Sequence, residues 1–245
     1  MADAVLTPDL AAGLRATANS LVGVARADAR DVELAMFARA AQTSADYALE
    51  HMLTALPVRQ RKFAERGRFE LLEEALGLAK LDGFNAEFGV FRGETLSFIA
   101  DRIDKVVYGF DSFAGNPEPW FLQYGKGFFD LGGVPPTLAP QQHNTRLVNG
   151  PFTETLPVFT AQIAGPAAFL HLDCDLYSST RTVLEGLADR IVPGTVILFG
   201  AYLNYPGWSR HAHRAFREFR EARGLKWRYA AFAPAMFSVA VVIEG

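Results

Sequence analysis

From Asn85 onward the chain repeats one pattern: a short apolar run, a turn built on Gly or Asp, then a helical period. That alternation predicts a mainly parallel sheet covered by helices. Strands are expected over 85–90, 105–110, 145–148, 168–172 and 195–199. Helices are expected over 94–103, after Phe152, over 179–191, and from a candidate N-cap at Ser209 to Arg223. The end, 226–232 and 236–243 around Ala233-Pro234-Ala235, reads as a strand pair. Residues 112–143 form a long irregular stretch rich in Gly, Pro and aromatic residues. Structureless loops of that length are uncommon in compact domains and are usually functional.

Ahead of this pattern the chain is helical in character. Residues 1–27 are Ala-rich, and a helical period runs from Asp31 to Leu56, with Val32, Met36, Ala40, Tyr47, Met52 and Leu56 near one face and Pro57 ending it. A second helix is expected over 59–80, interrupted at Gly67 so that two shorter helices are an alternative. Its cluster Arg59, Arg61, Lys62, Arg66 and Arg68 invites a phosphate reading, but Glu65, Glu70, Glu73 and Glu74 make it a solvated face. The expected division is an N-terminal helical cap or dimerisation segment over 1–80 and a ligand-binding domain over 81–245.

The chain of 245 residues, half of them apolar, can bury a sizeable core. A net charge of −3 and the absence of a long basic run give no electrostatic reason to expect nucleic acid. Cys174 is the one cysteine, which excludes an intrachain disulfide and suits a reducing compartment. No apolar run reaches the length of a membrane span, and the first residues lack the basic region of a signal peptide. The expectation is a cytoplasmic protein with neither membrane nor nucleic acid as partner.

In open parallel sheets, ligands bind outside the carboxyl ends of the strands. The first such turn runs Glu87-Phe88-Gly89-Val90-Phe91-Arg92-Gly93. Its E-x-G-x-x-x-G spacing differs from the G-x-G-x-x-G of dinucleotide binders. Gly89 is expected where a ligand approaches the backbone, and Gly93 where the helix packs close to its strand. The following turns hold Asp111-Ser112-Phe113, Gly150 with Phe152, Asp173-Cys174-Asp175, and Gly200-Ala201-Tyr202. An acid closing the second strand, as Asp111 does, stands where one carboxylate can hold a ribose diol.

Four segments carry a resemblance to a known family: 87–93, 109–115, 150–157 and 171–180. In order and spacing the sequence resembles class I S-adenosylmethionine-dependent methyltransferases, specifically the macrocin O-methyltransferase-like enzymes of natural-product sugar metabolism. The resemblance covers Glu70 to Gly245. It implies a Rossmann-like α/β fold, a seven-stranded mainly parallel sheet with its last strand antiparallel, and S-adenosylmethionine as cofactor. It implies that Glu87 and Gly89 flank the methionine part, with Phe88, Val90, Gly93 and Asp173 also at the cofactor. Asp111, Ser112 and Phe113 are then expected at the ribose and adenosine, and Gly150 and Phe152 at the adenine. Asp173 falls where the family has its metal-binding and base aspartate, and Asp175 is the close second. Such enzymes usually complete a magnesium site with acids after the fifth strand, whereas this chain has Gly200-Ala201 there. Magnesium requires near-octahedral oxygen ligation, so no tightly held metal is expected.

Without a metal, an acceptor hydroxyl needs a positioned base. The candidates are Asp173, Asp175, His143, His211 and His213, the histidines reading equally as surface or packing residues. Trp120 and the aromatic loop from Tyr202 to Trp208 are expected to wall the acceptor pocket. The leading reading is O-methylation of a small molecule by a homodimer or higher oligomer. The alternatives are a cofactor-binding protein that has lost methyl transfer and, against the glycine spacing, a nicotinamide-dependent reductase.

Overall fold

The computed structural model describes residues 8–57, 67–138, 143–233 and 237–245; the side chains of 8–28, 57, 67 and 68 are left aside. In chain order the elements are α1 (Pro8–His51), β1 (Leu56–Pro57), α2 (Gly67–Leu78), β2 (Phe84–Phe88), α3 (Glu94–Ala100), β3 (Val107–Asp111), β4 (Thr145–Asn149), α4 (Phe152–Gln162), β5 (Ala167–Leu172), α5 (Tyr177–Gly186), β6 (Val196–Phe199), α6 (Ala212–Arg223), β7 (Lys226–Phe232) and β8 (Val239–Glu244). They form one sheet in the order β1-β7-β8-β6-β5-β2-β3-β4. Strands β2 to β6 pair in parallel, and β8 lies antiparallel between β6 and β7. This is the expected seven-stranded mixed sheet. The two-residue β1, which pairs parallel to β7 at the edge, is an addition that the sequence did not announce.

Alternation along the strands sorts side chains onto two faces. Phe84, Ala86 and Phe88 of β2 join Phe110, Leu170, Leu172, Ile197 and Phe199 beneath α4, α5 and α6. Val107, Phe169, Val196 and Leu198 face Leu71, Leu72, Ala75, Leu96 and Ile99 of α2 and α3. All five residues of β2 and all six of β5 are buried, as central parallel strands require. The chain leaves β2 toward β3 on one side, and β5 takes the other side. The strand order therefore reverses at the β2–β5 boundary, where open sheets leave a crevice for ligands.

Several boundaries differ from expectation. Helix α2 begins at Gly67 and so is not interrupted by it; the basic residues 59–66 lie outside the described residues. Leu71, Leu72 and Ala75 are fully buried against the sheet, so α2 packs in the sheet's own helix layer. Helix α1 ends at His51, before a turn that leads to Pro57. Of its expected apolar face, Ala40 and Met52 are buried but Val32, Met36 and Leu56 are exposed. The C-terminal half of α1 docks through polar contacts as well as packing. Tyr47 shares a 2.7 Å hydroxyl contact with Tyr229, Trp208 Nε1 donates to Thr43 Oγ1 at 3.1 Å, and Asn204 N donates to Ser44 Oγ at 2.8 Å. Ser209 does not cap α6. It sits in a single 3-10 turn, Trp208–Arg210, and His211 is the residue before the helix, with no side-chain cap.

Residues 112–133 fold over the strand ends as an aromatic flap without regular structure. Backbone bonds from Asn116 N to Phe128 O and from Gly127 N to Asn116 O, both 2.8 Å, close it on itself. Glu118 accepts a 2.6 Å bond from Ser178 at the start of α5, and Phe37 of α1 meets Phe121 edge-on at 6.2 Å.

Candidate active site

The turns after β2 to β6 surround a cavity of about 900 Å³ at the carboxyl end of the sheet. That is ample room for a nucleoside-sized ligand and a small partner. Its walls include Gly89, Val90, Asp111, Ser112, Gly150, Phe152, Asp173, Asp175 and Gly200, so every strand-end turn singled out from sequence contributes.

The first turn is organised by Asp111. Its Oδ2 accepts hydrogen bonds from Val90 N and Phe91 N, and its Oδ1 from Phe113 N, all at 2.8 Å. The anion held by the turn's amides is thus a side chain of the protein. A carboxylate has about four acceptor directions, so Asp111 retains roughly one for a ligand hydroxyl instead of the two that a ribose diol would use. Gly89 has φ +91°, and a Cβ there would lie 2.1 Å from the Asp173 carbonyl oxygen. Its bare backbone lets the ends of β2 and β5 approach each other, which is a different reason from ligand access.

Other residues expected at the cofactor stand back from the cavity. Glu87 is fully buried on the opposite face; its Oε1 accepts from Thr95 Oγ1 at 2.5 Å and meets His171 Nδ1 at 2.9 Å. Burial raises the Glu87 pKa, against the lowering effect of His171. Phe88 stacks on Phe110 in the core, centroids 4.7 Å apart, and Phe113 is buried. Gly93, at φ +79°, begins α3, and a Cβ there would meet Leu138 and not the strand.

Asp173 and Asp175 both line the cavity. Among the described residues no hydrogen-bond donor reaches the Asp173 carboxylate. Burial, and then the charge of Asp173, push Asp175 well above the ordinary carboxylate range. Cys174 between them is a buried thiol 3.7 Å from Thr180 Oγ1, its pKa pushed up by burial, which leaves it unreactive. A Cβ at Gly200 would stand 1.9 Å from Asp173 Oδ1. The carboxylate therefore leans over the position where the resembled enzymes carry a metal acid. Among the described residues no group of three or more His, Cys, Asp or Glu side chains could hold a metal ion. The overlap also makes Gly200→Ala informative: the variant should fold with a melting temperature within a few degrees of the parent yet displace Asp173 and lose most turnover.

The histidines lie elsewhere. His143 is exposed, and neither it, His211 nor His213 lines the cavity. His211 packs behind Tyr205, its pKa lowered by burial and Arg210. His213 is buried among Tyr47, Tyr202 and Trp208, which with Arg217 and Arg220 brings its pKa down from 6.5 to about 4. These are packing residues, and the helix period that placed them near a sheet edge could not tell which way they point. His213 is neutral when folded and protonates near its ordinary pKa when unfolded, so its stabilising contribution is present above pH 6.5 and is lost as pH falls toward 4. Up to about 3 kcal/mol is at stake. Thermal melts from pH 7 to pH 4 should show a flatter dependence for His213→Phe than for the parent.

Of the aromatic residues, Trp120 lines the cavity, as do Tyr124, Phe129 and Phe152. The loop from Tyr202 to Trp208 instead fills the core, with Tyr202 hydroxyl 2.9 Å from that of Tyr229 and Tyr205 fully buried against Trp120. Arg92 and Lys126 also reach the cavity and were not singled out from sequence, because one charge within a turn carries no periodic signal. Among the described residues neither is in an ion pair, and the Arg92 guanidinium lies 5.0 Å from the Phe91 ring centroid.

Sheet order, antiparallel β8 and strand-end cavity define a class I S-adenosylmethionine-dependent methyltransferase fold. Residues 138–230 match the family model described as macrocin-O-methyltransferase (TylF). Among solved structures the chain is similar to CalS11, a calicheamicin methyltransferase, at 23% identity over 74% of this chain and 80% of that one, with a TM-score of 0.57. It is similar to the O-methyltransferase NovP at 22% identity over 71% and 80% of the two chains, TM-score 0.54. No curated protein matches in sequence. The family model covers under half of the chain, and the solved structures share its fold with O-methyltransferases of this class.

Proposed function

We propose that the cavity binds S-adenosylmethionine beside a small-molecule acceptor from natural-product or sugar metabolism, and that methylation of an acceptor hydroxyl proceeds without a metal. The observation that carries this reading is Asp173: a carboxylate on the cavity wall, without a protein donor, leaning over a bare Gly200.

The cofactor, when bound, supplies an electrophilic methyl group on a sulfonium. The protein's part is alignment and proton removal. Gly89, Val90 and Ser112 offer a wall held in shape by Asp111, and Arg92 and Lys126 are the cations on the cavity wall that would meet the cofactor's carboxylate. Phe152 and Gly150 border the adenine side. Trp120, Tyr124 and Phe129 of the flap close over the acceptor, exclude water and offer ring faces that favour a cation. Asp173 accepts the hydroxyl proton as the acceptor oxygen gains the methyl. Burial and the neighbouring Asp173 charge raise the Asp175 pKa, which favours the protonated form of Asp175 beside the base.

The test is labelled-methyl transfer from S-adenosylmethionine over acceptor classes (sugar hydroxyls, phenols, carboxylates, amines), with and without EDTA. Transfer that survives chelation is expected. Loss in EDTA restored by magnesium would overturn metal independence. Binding of S-adenosylhomocysteine with no transfer to any class would favour a cofactor-binding protein without turnover. Val32, Leu34 and Leu49 expose apolar surface along α1, and Leu53 just beyond its end, which supports association into a homodimer through that helix; the mass in solution by light scattering decides it.

A further inference from the structure

A second, smaller chamber of about 160 Å³ lies behind Asp173. Thr95, Asp173, Gly200 and Phe237 border both it and the main cavity, so the Asp173 carboxylate stands in the partition between the two. The rear walls are Leu72 and Leu198, with His171 and Ser238 as polar groups. We propose that this chamber holds ordered water that turns the Asp173 carboxylate toward the acceptor, with Glu87 and His171 as positioning residues for that water.

Four observations converge. Glu87 is fully buried, and both partners of its Oε1, Thr95 and His171, line the chamber. Its Oε2 has no hydrogen-bond partner. Ser238 Oγ spends its proton on Gly200 O at 2.9 Å, so it can only accept from the chamber. Asp173 likewise lacks a protein donor among the described residues. The oxygens of Asp173 and Ser238 thus border the chamber, with the unpartnered Glu87 Oε2 one layer behind its Thr95 and His171 walls, and buried polar groups short of donors are normally satisfied by water. A water claims about 30 Å³ in the liquid, so the chamber has room for several. An apolar Leu72 and Leu198 on the far side confine them to the polar wall. Water bonded to Asp173 from behind restricts the carboxylate to orientations that present an oxygen to the main cavity. No direct contact between Glu87 and the acceptor is needed, which explains how an acid buried on the far side of β2 can matter to the site.

This rests on the methyltransferase reading only for its kinetic arm. A crystal structure of the full chain with S-adenosylhomocysteine, at a resolution that shows single waters, should find at least two in the chamber, one bonded to Asp173. Glu87→Gln and Leu72→Phe, the second filling the chamber, should shift or expel them and rotate the Asp173 carboxylate. With an acceptor found by the labelled-methyl screen, both variants should lower kcat about tenfold or more, as misplaced catalytic groups do, with KM for S-adenosylmethionine within about twofold. Thermal melts and S-adenosylhomocysteine binding establish that each variant is folded. A dry chamber, a cation in place of water, or unchanged kcat in both variants overturns the proposal. Failure of the parent to transfer methyl to any acceptor would instead overturn the methyltransferase reading, and the crystallographic arm would still decide the chamber.

Discussion

Asp173→Asn should lower methyl transfer by about a hundred- to ten-thousandfold, the usual yield of a positioned base, and leave S-adenosylhomocysteine binding nearly unchanged. Asn keeps the shape and the lean over Gly200 but cannot take a proton. The alternative base, Asp175, cannot replace it. Its pKa is raised by burial and by the neighbouring charge, and it is held in a left-handed backbone conformation at φ +57°. Removing the Asp173 charge would lower the Asp175 pKa, so a small residual rate that rises with pH is expected from the variant. Isothermal titration with S-adenosylhomocysteine beside the transfer assay separates the two effects. Equal losses of binding and rate would place Asp173 at the cofactor and remove it as base. A loss below threefold would move the proton's destination to another group.

The second large effect is expected from Asp111→Ala. Three backbone amides would lose a charged acceptor, two of them in the turn that borders the cavity. Bonds to charged groups contribute about 1.5–3 kcal/mol each, partly recovered where water replaces them. A net cost of about 3 kcal/mol corresponds to a loss of more than a hundredfold in affinity for S-adenosylhomocysteine. Unlike a residue that merely touches the ribose, Asp111 should also show its loss in the absence of ligand, as a lower melting temperature and faster amide exchange at Val90 and Phe91. Asp111→Asn, which retains one acceptor oxygen, should fall between the two. Weakened binding with an unchanged melting temperature would return Asp111 to a role at the ribose alone.

The match between expected and observed elements is close from β2 onward and poor before it. Apolar runs such as Ala167–Leu172 announce central strands because both faces are buried. Helices α1 and α2 carry weaker patterns: α1 leaves Val32 and Met36 exposed, and α2 is short and packs on the sheet through Leu71, Leu72 and Ala75. No local rule says whether a helix before the first long strand is cap or layer. The histidines lie off the cavity for a related reason, since His211 just before α6 packs behind Tyr205 and His213 in its first turn packs against Tyr47 and Trp208.

Strand-end turns at Gly89, Asp111, Gly150 and Asp173, and a bare pair at Gly200-Ala201, are properties of the amino-acid order, because each turn's chemistry lies in two or three consecutive residues. What those residues do to one another was decided only by the tertiary structure. Asp111 is spent on the amides of a turn about twenty residues earlier, Gly89 yields to the Asp173 carbonyl, Glu87 is buried with His171, and Asp173 occupies the space that Gly200 leaves open. Each of these is a contact between separate strands. Strand pairing sets them, and a linear sequence does not contain the distances.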